Sequence, residues 1–455
     1  MAPTVWGRGV NLVPTCHAMP DPLCSMKPNS TSSPLWLLIG LSLILSGCAQ
    51  QRLLIETPLV YANGLVNAFS PELSPELQTS VANVLYVTDR MPETGDNGEF
   101  GYGMGRSISL AFGNVEVGLG EKTRWRQLDA DAASPTRAQD LALRINSIEE
   151  NVRLPPTPYA FKMVNGRPKL LPEVRAQIDA ARVKFGAEIQ RRLALTPHKK
   201  AVIYVHGVAN TFADAAYTTA ELWHFLGREG IPIAYTWPAG GGGVLRGYTY
   251  DRESSEFTVT HFKNFLRELT RAPGLGSIEI IAHSRGTDVV VTALRELLIE
   301  SRARDEDPRQ RYRINNLVLA APDLNVEIMM ARTFTERLSA AVSRMTIYTS
   351  KGDKAIGVSE FLFGGGLRLG RVDETFELPD HLKDMLKTNT NRVAIIEYTG
   401  TRTGPLGHAY FRENPSVASD LVLAVRYGRD PGDEHGRPLI HKSGIFWELD
   451  DSYLQ

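Results

Sequence analysis

Residues 277–286 read Ser277-Ile278-Glu279-Ile280-Ile281-Ala282-His283-Ser284-Arg285-Gly286, an apolar run closing on a serine with alanine two residues before it and glycine two residues after. A helical pattern follows over residues 287–300. Strand, sharp turn and helix, with a serine on the turn, make an elbow that lifts the hydroxyl clear of a sheet. The turn needs small residues at those two flanking places because the strand and helix backbones nearly touch. Ala282 stands where glycine is usual, a departure of one methyl group. Ser284 is therefore the candidate nucleophile.

Working outward, the same rhythm continues on both sides. Apolar strands are expected at 201–205, 231–237, 278–282, 315–320, 345–349 and 392–398, with helical patterns at 213–228, 255–269 and 287–300 between them. Such strand–helix–strand units predict an α/β fold with a mostly parallel central sheet and helices on both faces. Chemistry in these sheets gathers at the carboxyl ends of the strands.

A serine hydroxyl is a poor nucleophile until a base takes its proton, and the base needs a carboxylate to orient it. Asp353 lies just past an expected strand in Tyr348-Thr349-Ser350-Lys351-Gly352-Asp353, and His408 follows the last one in Gly404-Pro405-Leu406-Gly407-His408-Ala409-Tyr410. Asp323, in Ala321-Pro322-Asp323, is the alternative acid. His381 falls in or near a helix and His435 and His441 in the polar tail, while His283 is read as packing against the core. Oxyanion donors are expected from the N–H of Arg285, directly after the nucleophile, and of Val208 in His206-Gly207-Val208-Ala209-Asn210. Asn210 or Thr211 serves as the cap of the following helix. Gly240–Gly243 lacks the ending of a phosphate loop and reads, like Gly364–Gly366, as loop near the site's mouth.

Upstream of this core, 84–87 reads as a short strand and 107–118 as further β-prone pieces. Residues 121–197 read as helical, clearest where Val174, Ile178, Ala181, Phe185, Ile189 and Leu193 recur on one face. The expected organisation is an N-terminal extension of edge strands and helices over 81–200, a catalytic core over 201–429 and a C-terminal tail over 430–455.

The N-terminus carries a different signal. Lys27, an apolar stretch at 35–45 and then Leu45-Ser46-Gly47-Cys48 describe an export signal over 26–47, too short for a comfortable membrane span. Its ending resembles a bacterial lipoprotein signal, which implies cleavage before Cys48, lipid attachment at its thiol and a proline-bearing tether over 48–80. Ala49 then favours the periplasmic face of the outer membrane. Met26 is the expected initiator, with 1–25 a non-native upstream segment. Cys16, Cys24 and Cys48 are the three cysteines, so the body holds neither a disulfide framework nor a thiolate metal site. With 455 residues, 22% charged and a net charge of -1, the chain offers no basic stripe for nucleic acid.

Taken together, Tyr86-Val87-Thr88-Asp89-Arg90, Phe112-Gly113-Asn114-Val115-Glu116-Val117, Tyr204-Val205-His206-Gly207, Ala282-His283-Ser284-Arg285-Gly286, Leu319-Ala320-Ala321-Pro322-Asp323 and Gly407-His408 resemble an α/β-hydrolase, and more narrowly a bacterial group of uncharacterised, often exported members. The resemblance implies the α/β-hydrolase fold and hydrolysis of a carboxylic ester, from a small molecule or a lipid, through an acyl-enzyme on Ser284. It implies no metal or organic cofactor. An acyltransferase using the same serine, and a non-catalytic envelope protein on the same scaffold, stand as alternatives.

Overall fold

The computed structural model describes residues 51–95, 98–240, 244–362, 366–376, 392–402, 404 and 406–455. The upstream segment, the signal, Cys48 and Ala49, the glycines at 241–243 and 364–365, and His381 lie outside them, as does the side chain of His435.

One sheet organises the described chain, in the order β12-β13-β11-β10-β9-β8-β6-β7-β1-β2-β3. Its centre is built from β6 (Lys200–Val205), β7 (Ile231–Thr236), β8 (Ser277–His283), β9 (Ile314–Ala320), β10 (Val342–Thr349) and β11 (Val393–Tyr398), all parallel. These strands are apolar from end to end because helices bury them on both faces. One face is covered by α1 (Pro172–Ala194), α3 (Val244–Leu269) and α4 (Gly286–Ala303), the other by α2 (Phe212–Phe225) and α6 (Pro415–Val425). A further helix, α5 (Lys354–Leu362), follows β10. The fold class is thus that of an α/β-hydrolase, with the core strands within a few residues of their expected limits.

Strand order reverses at β6: the chain steps to β7 on one side and returns to β8 on the other. A crevice opens at the carboxyl ends where neighbouring connections leave in opposite directions. That switch point, between β6 and β8, lies where the loop at Gly207 meets the turn at Ser284.

Several regions differ from expectation. β1 (Val81–Thr94) and β2 (Phe100–Leu119) are long continuous strands, and β1 pairs in parallel with β7, so it lies inside the sheet instead of at its rim. β3 (Leu143–Arg153), which pairs antiparallel with β2, and a small hairpin of β4 (Phe161–Val164) and β5 (Arg167–Leu170) interrupt the stretch read as helical. The sheet's other rim comes from the expected tail, where β12 (Ile440–Ser443) pairs with β13 (Phe446–Leu449) and β13 pairs with β11.

Residues 51–80, the described part of the expected tether, are packed onto the body. Leu54, Val60, Tyr61, Phe69 and Leu73 are buried in the same apolar cluster as α2 and α6. The Arg228 guanidinium, fully buried beside the rings of Phe69, Trp125 and Trp223, donates to the carbonyls of Leu77 and Thr79. Pro58 and Pro75 stand at the starts of short helices and Pro71 in a turn, while the segment's apolar side chains find partners.

Candidate active site

Ser284 sits directly after β8 with a φ of 53°, in the left-handed region that a non-glycine residue enters only at a cost. Its N–H donates to the Ala320 carbonyl at 3.0 Å, tying the turn to β9, and α4 begins two residues later. The small neighbours are a steric necessity. A Cβ on Gly286 would lie 2.3 Å from the His206 carbonyl oxygen, and one on Gly207 would lie 2.6 Å from the Ser284 Cβ.

His408 and Asp353 meet. The Nδ1–H of His408 donates to Asp353 Oδ2 at 2.7 Å, and Asp353 is buried. The other carboxylate oxygen accepts the Ile356 N–H at 3.0 Å, so Asp353 also caps α5, whose amino-terminal dipole favours a negative charge there. With Nδ1 so engaged, the neutral imidazole presents Nε2 as its acceptor. Among the described residues Nε2 makes no hydrogen bond, and Ser284 Oγ is joined to no partner; such links are often open before substrate arrives.

Asp323 is held elsewhere. Its carboxylate accepts from the Ser359 hydroxyl at 2.7 Å and from the Tyr248 hydroxyl, with the Arg368 Nε at 3.6 Å. Burial, then the Asp323 charge, push the Tyr248 phenol up to about 12, so it remains a donor. Of the two carboxylates named from the sequence, only Asp353 is hydrogen-bonded to His408.

His283 has a role the sequence did not reveal. Its Nε2–H donates to the His408 carbonyl at 3.1 Å, and its ring packs against those of His408 and Phe411, with centroids at 4.6 and 4.9 Å. Burial, and then the neighbouring His408, hold its pKa well below the ordinary histidine value. A neutral ring next to the serine thus supports the backbone of the candidate base. His441 lies on rim strand β12 and bonds the Gly444 carbonyl.

Neither the Val208 nor the Arg285 N–H donates to an acceptor among the described residues, and both flank the switch-point crevice. Thr211, and not Asn210, caps α2, in a reciprocal pair with Asp214. A cleft of about 440 Å³ beside His408 is lined by Asn210, Asp214, Arg52, Arg412 and Glu413 among others. A separate apolar cavity of about 210 Å³, between β1, β2, α1 and α3, shares no lining residue with it. No group of three or more histidine, cysteine, aspartate or glutamate side chains arranged to hold a metal occurs among the described residues.

Residues 181–426 match the family described as "Alpha/beta hydrolase of unknown function (DUF900)". Among solved structures the chain is similar to a predicted CIB-like hydrolase from Thermoplasma acidophilum, at 14% identity over 59% of this chain and 97% of that one, with a TM-score of 0.27. It is also similar to a lipase-esterase related protein from Clostridium acetobutylicum, at 12% identity over 51% and 92% of the two chains, with a TM-score of 0.22. No curated protein matches it. The family match spans more than half of the chain, and the chain belongs to this α/β-hydrolase family.

Proposed function

We propose that the protein is a serine hydrolase that cleaves a carboxylic ester through an acyl-enzyme. The observation that carries this reading is the 2.7 Å hydrogen bond between His408 and Asp353, present together with a strained serine directly after β8 of the same sheet. In the proposed cycle Ser284 Oγ attacks the ester carbonyl carbon while His408 Nε2 takes its proton. The oxyanion that forms accepts the N–H groups of Val208 and Arg285. Collapse breaks the carbonyl–alkoxy bond, and the departing oxygen takes the proton back from His408. Water then repeats the sequence on the acyl-enzyme, with Asp353 holding the imidazolium at each stage.

A fluorophosphonate probe tests the reading directly. Labelling of the wild type that disappears in Ser284→Ala is the expected result. Folded wild-type protein that takes no label removes the proposal and leaves a non-catalytic scaffold. In the same reading the mature chain is held by lipid on Cys48 at the periplasmic face of the outer membrane; incorporation of radiolabelled palmitate that persists in Cys48→Ser would rule out that anchor.

A further inference from the structure

The stretch Thr88-Asp89-Arg90 ends in a buried cation with an unusual set of partners. Arg90 has no exposed surface and forms no ion pair among the described residues. Burial pushes its pKa down to about 10, against the opposing pull of Asp89, Asp251 and Asp214. Its Nε donates to Thr236 Oγ1 at 2.8 Å and its Nη1 to the carbonyls of Gly103 and Ala239 at 3.1 and 3.0 Å. Its Nη2 donates to the Asn210 carbonyl at 2.7 Å and lies 3.3 Å from His206 Nε2.

Asp251, a buried residue of α3, grips the same two loops from their other polar groups. Its Oδ2 accepts the Ala209 N–H at 2.7 Å, and its two oxygens lie 3.0 and 3.2 Å from the Gly240 nitrogen. The arginine therefore holds a carbonyl, and the aspartate an N–H, in each of the loops that follow β6 and β7. Val208 precedes Ala209, which stands at a φ of 57°. A non-glycine residue keeps that conformation only where its surroundings over-determine it.

Stability alone is a weak reason for burying two opposite charges here, since replacing both together by well-packed apolar side chains is often neutral or stabilising. We infer that Arg90 and Asp251 form a cross-brace that fixes the direction of the Val208 N–H, making both positioning residues for the oxyanion. The inference rests on the acyl-enzyme reading above. It also gives a task to a stretch that the proposed triad leaves unused.

The test compares wild type, Arg90→Lys, Asp251→Asn and the double variant by rate of fluorophosphonate labelling, by kcat and KM on p-nitrophenyl acetate, and by thermal melting. Each single change is expected to lower kcat and the labelling rate about tenfold to a hundredfold, a fraction of the loss on deleting an oxyanion donor. KM should stay within about twofold, since binding of the ground state is untouched. The double variant should fall little further than the worse single one, because one brace is broken either way. If Arg90→Lys does not fold, Asp251→Asn, which keeps shape and one acceptor, carries the comparison. Folded variants that label at the wild-type rate, or that change only in melting temperature or KM, overturn the brace. A wild type without labelling or turnover takes down the ester reading and the brace together, whereas an active wild type with indifferent variants takes down the brace alone.

Discussion

His408 Nδ1 lies 2.7 Å from Asp353 Oδ2, and the same carboxylate caps the helix that follows it. Asparagine at 353 can still accept the Ile356 N–H, but its amide cannot accept from Nδ1–H in the way the carboxylate does. Asp353→Asn should therefore lower kcat by about 10²- to 10⁴-fold with the fold intact. Asp323→Asn, which touches Tyr248 and Ser359, should stay within about tenfold of wild type. Steady-state kinetics on both variants decide the matter, and the opposite ranking would move the acid to Asp323.

Strain at Ser284 gives a second expectation. A serine at a φ of 53° costs on the order of 1 kcal/mol that glycine does not incur. Ser284→Gly and Ser284→Ala should both be inactive, yet the glycine variant should be the more stable by about that amount. Urea denaturation of the two variants would show equal midpoints if the turn stored no strain.

Gly207 permits the approach of the two loops at the switch point. Gly207→Ala sets a methyl group 2.6 Å from the Ser284 Cβ, which one or both backbones must yield to accommodate. A loss of about 1–3 kcal/mol in stability is expected, together with a collapse of fluorophosphonate labelling because the serine is displaced. A variant that melts and labels like wild type would show that the contact is slack.

Acid should weaken the fold before carboxylates begin to titrate. Burial is the first cause of depressed pKa values at His206, His224 and His283, reinforced by Arg90, Arg228 and His408 respectively. In the unfolded chain each takes a proton near the ordinary histidine value of about 6.5, while the folded chain refuses it. The unfolded state then binds more protons below that pH, so stability is complete above it and falls as the pH drops. The slope is about 1.4 kcal/mol per pH unit for each histidine. Urea midpoints measured from pH 7.5 down to 5.5 check this, and a flat profile across that range would contradict it.

The parallel core was legible because strands buried on both faces leave continuous apolar runs. The expected 201–205 and the observed Lys200–Val205 differ by one residue. β3 was not legible: Leu143–Arg153 carries Arg144, Asn146, Ser147 and Glu149 exposed to water, and its place is set by pairing with β2 instead of by its own composition. Residues 51–80 misled through their prolines, because only the three-dimensional arrangement shows which apolar side chains find cover. In the site, Ser284, Asp353 and His408 stood out by their positions after strands. Which of Asp353 and Asp323 is hydrogen-bonded to His408 could not be read from the sequence. Arg90 stood in a stretch that carries the family resemblance, but what it holds was hidden, since the Asn210 carbonyl it bonds lies 120 positions along the chain; Asp251 gave no signal of its own.

Among the described residues the open sheet of 11 strands has two rims, and a sheet's rim presents peptide groups that another chain could extend. Here β12 is only four residues long, exposed at each of them, and carries Lys442, while β3 sets charged and polar side chains along its wet face and breaks register twice against β2. Neither border offers a long, flat, greasy template. Edge-to-edge growth between copies therefore finds little purchase at either rim.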